Sequence, residues 1–590
     1  MNTRTLGVML AMVTLPLTAC VSLPQSGSVQ PGPRQDQENQ SGAPFDYNPP
    51  GPSRGDTPVD VVGGFLQAMQ ATPQTTTVAR EFLTDEASTG WVPTKSTLIY
   101  GSGDLSYLGR SVTMSFGDTV DLNGRGEWLG NLHGNRGVEY RLTVVNQQGE
   151  WRISNPPDAL IVPRSHFETR FQQYYLYFFD KAAQILVPEP VYLPRGEQAP
   201  TLLIEGLLKG PDQELLGATR TFIPSQTELE ISVPVARDGI AEVPLSDEVL
   251  DLDDDDLELA LAQIGWTLRQ VPGIEQMRIT VDGSPLDIPD QGVEQDVRAW
   301  PEYDPSINWA SQELFGIRDG RVVTRLAGEE VRIAGLFGTE PSGLRTIGVD
   351  LPAEQIAGVS KDGTTVFVSP RARDVGEVPD VGSADVAYPH GTDVLRPAWD
   401  IYGQVWLIDR SRDGAALFVV RDGVSRRVEA PGITGKNIKG FILSRDGTRL
   451  VAIVDGKNRD RLVISRIARD DEGQVRRVAP AVDLPIGDFE VDEIRDLAWR
   501  TPGSVALLAG PTPGLSQVIV TLVDGSSALG DVASNTEIFR DDADRIVTSP
   551  AVGAPLYVGT TNGQLFELAA NGRWIGTSIN SGLVSPTFVG

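Results

Sequence analysis

The chain has 590 residues, 40% of them hydrophobic, and its 50 Lys and Arg stand against 79 Asp and Glu for a formal net charge of −29. That length and apolar content suffice for several cores, with a prior of roughly three to five domains. The acidic surface argues against nucleic acid as a partner, since affinity for phosphates rests on cations, and against direct adhesion to anionic lipid.

Residues 1–19 carry one basic residue, Arg4, then an apolar stretch from Leu6 to Leu17, then the small residues Thr18 and Ala19 before Cys20. This is the basic, apolar and small-residue pattern of a signal peptide. The stretch falls short of the roughly 20 apolar residues that span a bilayer, and no later stretch is long enough, so the mature chain is expected to have no transmembrane helix. Leu17-Thr18-Ala19-Cys20 resembles a bacterial lipobox. The resemblance implies cleavage before Cys20, an S-diacylglycerol on its thiol and an N-palmitoyl chain on its new amine. Cys20 is the only cysteine, which leaves an exported chain no internal disulfide to explain it. Membrane lipid, reached through acylated Cys20, is thus the first expected partner, each buried methylene contributing about 0.8 kcal/mol.

Residues 20–56 read as a tether, with Pro24, Pro31, Pro33, Pro44, Pro49, Pro50 and Pro52 among Gly27, Gly32, Gly42, Gly51 and Gly55 and few aliphatic side chains. Such a segment buries too little apolar surface to offset its ordering entropy. It spans on the order of 35 Å as a coil and nearer 120 Å if polyproline-like.

Residues 57–168 read as an α+β domain. Thr57 is an expected N-cap before Pro58, and Val61, Val62, Phe65, Leu66 and Met69 recur at helical spacing. A second short helix is expected around Val78, Phe82 and Leu83. The period then switches to two, with Val138, Tyr140, Leu142 and Val144 alternating before a turn at Gln148-Gly149 and a return strand through Trp151 and Ile153. Helices followed by a curved antiparallel sheet resemble a cystatin-like roll, a fold that sometimes lines a cavity with catalytic Asp and His. His133 is the one candidate here, and its place between Leu132 and Gly134 reads as a turn or surface residue.

Residues 169–292 form the next unit. The aromatic run Phe171, Tyr174, Tyr175, Tyr177, Phe178 and Phe179 reads as a buried strand. Next come a strand to Tyr192, a helix with Leu202, Leu203, Leu207 and Leu208 stopped by Gly210-Pro211, a hairpin of Leu229–Val235 with Ile240–Leu245, a helix with Leu257, Leu261, Ile264 and Leu268, and a closing strand, Met277–Val281. Leu203-Ile204-Glu205-Gly206-Leu207-Leu208-Lys209-Gly210-Pro211, with Trp266-Thr267-Leu268 and Val281-Asp282-Gly283, resembles the GerMN domain of envelope and sporulation proteins. The resemblance implies a binding role and carries over no catalytic residue. The acidic run Asp251, Asp253, Asp254, Asp255 and Asp256 suggests calcium but fails the EF-hand template, which needs Gly where Asp256 stands and Glu where Ala262 stands. Carboxylates at a helix N-terminus explain it better, and no metal or cofactor is expected.

Residues 300–590 read as repeats. Ile356–Gly363 leading into Thr365–Val368 is matched by Ile438–Gly447 leading into Leu450–Val454, with looser copies at Leu395–Ile408, Ile494–Leu508 and Ile546–Val558. Counted from Ser360 through Trp399, Ser444, Trp499 and Ser549, the copies stand 39, 45, 55 and 50 residues apart. One four-stranded blade per repeat gives a β-propeller of about six blades. Ser360-Lys361-Asp362-Gly363 and Ser444-Arg445-Asp446-Gly447 lack the residue between Asp and Gly of a sialidase Asp-box and read as hairpin turns. A G-x-S-x-G elbow is missing from the sequence, and His133, His166 and His390 form no paired zinc motif. No catalytic residue is therefore expected.

The ordered set of lipobox, tether, roll, GerMN-like domain and propeller resembles the actinobacterial LpqB lipoproteins over nearly the whole chain. The resemblance implies a non-catalytic extracytoplasmic accessory of the MtrA–MtrB two-component system, contacting the extracytoplasmic domain of the sensor histidine kinase MtrB and influencing cell-wall homeostasis and division. The alternative is a cell-wall polysaccharide-binding protein, or a glycosidase using propeller-loop carboxylates, with cell-wall polymer as its partner.

Overall fold

The computed structural model describes residues 46–590, apart from 110, 213–216, 289–291, 308, 327, 372–383, 487–490, 513, 527–536 and 580–581. Cys20, the signal peptide and the tether up to residue 45 lie outside the described residues. The chain is multi-domain, and residues 46–590 form one compact unit.

Thr57 caps the helix Pro58–Ala68 through a reciprocal box: its hydroxyl accepts from Asp60 N (3.3 Å) while Asp60 Oδ2 accepts from Thr57 N (3.0 Å). The helix buries Val61, Val62 and Phe65 against a curved sheet. That sheet runs in the order Glu150–Ile153, Val138–Gln147, Ser111–Asn123, Ser96–Leu108, Leu160–Pro163, with the last pair parallel and the others antiparallel. Gln148 (φ 56°) and Gly149 (φ 92°) make the tight turn into the return strand. The expected tether runs too far toward this domain. Tyr47 is already pinned to it, by backbone bonds with Thr72 (2.9 Å each way) and by Gln67 Nε2 donating to its hydroxyl (2.6 Å).

In the second domain, Phe171–Asp180 pairs with Leu186–Pro194 and with Thr219–Arg220, and Ile240–Leu245 runs parallel to Gln276–Val281. The helices Ala199–Leu208 and Asp254–Leu268 pack on these strands. Two expectations need correction. The arm Leu229–Val235 is not a continuous strand but two antiparallel bridges, Leu229 to Leu245 and Val235 to Ala241. Pro234 and, opposite, Pro244 have no N–H to donate, so the ladder is interrupted on both sides. Second, Trp300, assigned by sequence to the propeller, is buried in this domain's core. Gly265 makes room for it, since a Cβ there would lie 2.7 Å from the Trp300 ring, and Trp266 Nε1 donates to Trp300 O (2.9 Å).

Among the described residues the C-terminal half forms six sheets arranged as propeller blades. In blade one the last strand, Val584–Thr587, takes the innermost place beside Leu314–Arg318, so the two ends of the propeller sequence close the ring. The innermost strands of blades two to six are Leu344–Val349, Ala398–Trp399, Ile438–Leu443, Ile494–Thr501 and Ala543–Val547. The two closest sequence repeats are out of phase. Ser444–Gly447 joins the first and second strands of blade four, whereas Ser360–Gly363 joins the second and third strands of blade two. The two turns therefore lie on opposite faces of the ring.

Candidate functional site

The residues singled out by sequence are scattered. His133 sits in a turn with Nε2 3.4 Å from Asp121 Oδ2. Burial pushes the Asp121 carboxyl up, and His133 pulls it partly back. His166, on the helix Arg164–Arg170, lies edge-on to Phe171; burial, helped by Arg170, pushes its imidazole down to about 4. His390 is exposed in the loop after Asp385–Tyr388. The acidic run is a helix start: Asp253 Oδ1 accepts from Asp256 N (2.9 Å), and Asp254, Asp255 and Asp256 occupy the first turn. Among the described residues no three His, Cys, Asp or Glu side chains cluster to hold a metal.

The aromatic run is a strand buried on both sides. Leu176 and Phe178 belong to the second domain's core. Tyr175 reaches the propeller, where a Cβ on Gly503 would lie 2.6 Å from its hydroxyl, and burial pushes that hydroxyl up to about 12.

Sequence reasoning missed the seam between the second domain and the propeller. Glu189, on the strand after the aromatic run, accepts from Arg449 Nη2 (2.8 Å) and, in a two-pronged contact, from Arg466 Nη1 (2.9 Å) and Nη2 (2.7 Å). Arg449, with no exposed side-chain surface, also donates to Pro188 O (2.6 Å) and to Asp446 Oδ2 (3.0 Å). Two carboxylates and two guanidiniums thus meet in a desolvated place, with the charge of Asp212 also acting on Arg466. Tyr402 donates to Asp180, and Arg469 Nη2 donates to Asp400 Oδ2 (2.8 Å) beneath it. Tyr192 ties three domains together: its N–H donates to Gly126 O (2.7 Å), its ring packs on Trp128 and Phe167, and its hydroxyl is hydrogen-bonded to Ser526.

These contacts all fall on the face carrying the first-to-second and third-to-fourth strand loops, in blades three, four and five. The opposite face holds the other mouth of the channel. Around it Arg396 Nη2 stands 3.8 Å from Asp496 Oδ1, Ile546 N donates to Asp496 Oδ2 (3.0 Å), and the hydroxyls of Thr346 and Ser585 are 2.9 Å apart. Burial pushes the Asp496 carboxyl up against the pull of Arg396. Arg345 Nη2 pairs with Asp393 Oδ1 (2.6 Å) and Lys439 Nζ with Asp460 Oδ2 (2.7 Å). Arg345, Lys439 and Arg495 each occupy the extra residue of a bulge at the start of an inner strand. The bulge turns each long cation outward to carboxylates rather than along the ladder. Lys361 and His390 stand exposed on this same face. It is a polar, charge-studded surface.

Three family models match in succession: "Lipoprotein LpqB, N-terminal domain" at 51–168, "Sporulation and spore germination" at 175–287, and "Lipoprotein LpqB beta-propeller domain" at 320–538. A protein named lipoprotein LpqB from Thermobifida fusca is 25% identical, with 93% of this chain and 94% of that one covered. Its namesake from Streptomyces avermitilis is 26% identical, with 95% and 94% covered. Among solved structures, the first GerMN domain of the sporulation protein GerM from Bacillus subtilis is 26% identical over 20% of this chain and 91% of that one, at a TM-score of 0.18.

Proposed function

From a chain that belongs to the LpqB lipoprotein family, we propose a non-catalytic accessory protein, anchored through acylated Cys20 on the extracytoplasmic face of the cell membrane. It presents the free propeller face to the extracytoplasmic domain of a sensor histidine kinase of the MtrB type, and so influences cell-wall homeostasis and division. The observation that carries this reading is the seam. With Glu189, Arg449 and Arg466 locking the second domain over one face, the opposite face is the broad charged surface left for a partner. A partner that binds one state of a sensor better than the other shifts its population by that difference in affinity. The anchor raises the local concentration of this face beside membrane proteins.

Photo-crosslinkers placed at Lys361 and His390 in the full-length chain in cells test it. Recovery of a histidine kinase from these positions, and not from Leu132 in the roll, is the expected result. Recovery of wall polymer instead, or turnover of purified polymer by the full chain, would sink the accessory reading. Replacing Cys20 by Ala is expected to release the protein from membranes; retention would refute the anchor.

A further inference from the structure

The propeller channel contains a partly open cavity of about 60 Å³. One of the residues lining it is Arg445, which belongs to the Ser444–Gly447 turn and is turned inward with 5% of its surface exposed. Two of its donors are placed: Nη1 on Ser306 O (2.7 Å) and Nη2 on Ser549 Oγ (2.8 Å). Its Nε–H has no partner, and burial pushes its guanidinium down to about 10 against the pull of the Asp304 carboxylate.

The same cavity is lined by Trp499, which is 6% exposed and whose Nε1–H is likewise without a partner. In blade three its counterpart Trp399 donates to Gly348 O of the preceding blade (3.1 Å), so the orphan at Trp499 is a property of this place and not of the repeat. Nearby, Arg500 adds a second guanidinium with neutral partners, donating to Thr548 Oγ1 (3.2 Å) and Ala554 O (2.8 Å).

A buried polar group without a partner costs about 1–3 kcal/mol, and each such group in a native protein calls for an explanation, a bound ion among them. Both orphans here are donors, and one carries a full positive charge. A water accepting from them could turn its own hydrogens to Thr548 or Thr587 in the same lining, but it would leave the charge on Arg445 unneutralised. An anion accepts without needing acceptors in return and also neutralises Arg445. At roughly 10–15 Å³ per water-sized occupant, the cavity has room for a few heavy atoms.

We propose that the propeller channel is a binding site for one small monovalent anion, of the size of chloride or a short-chain carboxylate, held by Arg445 and the Trp499 indole. The far end of the channel is already furnished with an ion pair, Arg396 with Asp496, so the anion's place is at the Arg445 end. The ligand acts as a pin between blade four, which carries Arg445, and blade five, which carries Trp499.

Thermal unfolding of the full chain in detergent tests the site, with gluconate replaced stepwise by chloride or by acetate at constant ionic strength. The midpoint is expected to rise with the logarithm of the smaller anion's concentration, as for any ligand that binds only the folded state. Comparing the two series tells which anion is preferred. Arg445→Met is expected to abolish the dependence. Lys361→Met, at the matching turn on the opposite face, is expected to retain it. Trp499→Phe keeps the ring and removes only the donor, and is expected to weaken apparent affinity by about tenfold or more. Should Arg445→Met not fold, excess broadening of the chloride-35 resonance by the wild-type chain, relieved by acetate and reduced in Trp499→Phe, reads the same site directly. Equal anion dependence in wild type, Arg445→Met and Trp499→Phe, or no dependence and no broadening in the wild type, overturns the proposal.

Discussion

Glu189 is the residue whose neutralisation should do most to loosen the molecule. Its side chain is 5% exposed, and it accepts three hydrogen bonds from Arg449 and Arg466 across the seam. With Asp446 the cluster holds two negative and two positive charges. Glu189→Gln is nearly isosteric, so it opens no cavity, but it removes the carboxylate that both guanidiniums share, and burial already presses the Arg449 charge down. Breaking a buried pair by removing one partner costs about 3–5 kcal/mol, and Gln, which keeps an acceptor, belongs near the lower end. Urea unfolding followed by tryptophan fluorescence measures the loss, and limited proteolysis of residues 301–313 reports separation of the domains. Arg461→Ala is the control: its pair with Asp483 is 56% and 63% exposed, and such pairs are worth under about 1 kcal/mol. Removing Glu189 and Arg466 together leaves Arg449 and Asp446 balanced, so the double variant should be less destabilised than the sum of the two single ones. A Glu189→Gln chain within about 0.5 kcal/mol of wild type, with unchanged proteolysis, would refute the view that this charge cluster holds the seam.

Gly126→Ala should detach the roll from the second domain. Gly126 has φ 84°, and a Cβ would lie 2.5 Å from Tyr192 O, so strain and clash together should cost more than about 1–3 kcal/mol, visible as an early transition in calorimetry; a single unchanged transition would count against it. His166 should weaken the fold in mild acid. Its folded value of about 4 lies below the usual 6.5, so its contribution is complete above pH 6.5 and is lost as pH falls toward 4. A His166→Gln chain should show a shallower fall of stability across that window, and an identical slope would refute it.

What could be read from the sequence was local. The cap at Thr57, the Gln148-Gly149 turn and the alternation of Val138, Leu142 and Val144 are set by neighbours in the chain, and the structure shows each of them. The same locality explains the phase error in the propeller. In both turns the serine hydroxyl donates to the Asp carboxylate at 2.6 Å, and that carboxylate accepts from the backbone N–H two residues on, Thr364 at 3.1 Å and Thr448 at 2.9 Å. Four residues therefore specify the turn completely and say nothing of which pair of strands it joins. Glu189 was invisible for the converse reason. Its partners lie 260 and 277 residues away, and among 79 carboxylates no periodicity marks one of them as buried. Arg445 carried a faint signal, an arginine where its sister turn has Lys361, but only the fold turns it into the channel.

The weakest place in the ring should be where it closes. Leu583, just before the closing strand Val584–Thr587, is 4% exposed and packs with Leu314, Val323, Val547 and Leu565 of blades one and six. Gly316 leaves space for it, since a Cβ there would lie 2.6 Å from Leu583 Cδ1. Beside this packing opens a cleft of about 360 Å³ whose lining is mostly polar, with Arg318, Thr324, Arg325, Glu329, Glu330 and Ser578 joining Leu314, Val323, Ile579 and Leu583, so water reaches the edge of the seam. Blades three, four and five are clamped from outside by the second domain, whereas blades one and six meet across this seam through that packing and through Arg325 Nη2 donating to Ser578 Oγ (2.8 Å). Leu583→Ala should cost about 2–5 kcal/mol, and the loss should be local. Hydrogen exchange should quicken in Leu314–Arg318 and Ala543–Val547 while Ile438–Leu443 stays protected. Leu497→Ala, an equally buried change in blade five, should lack that pattern. Uniform acceleration through all six blades in Leu583→Ala would mean that the ring opens as one cooperative unit, and that its closure is no weaker than the rest.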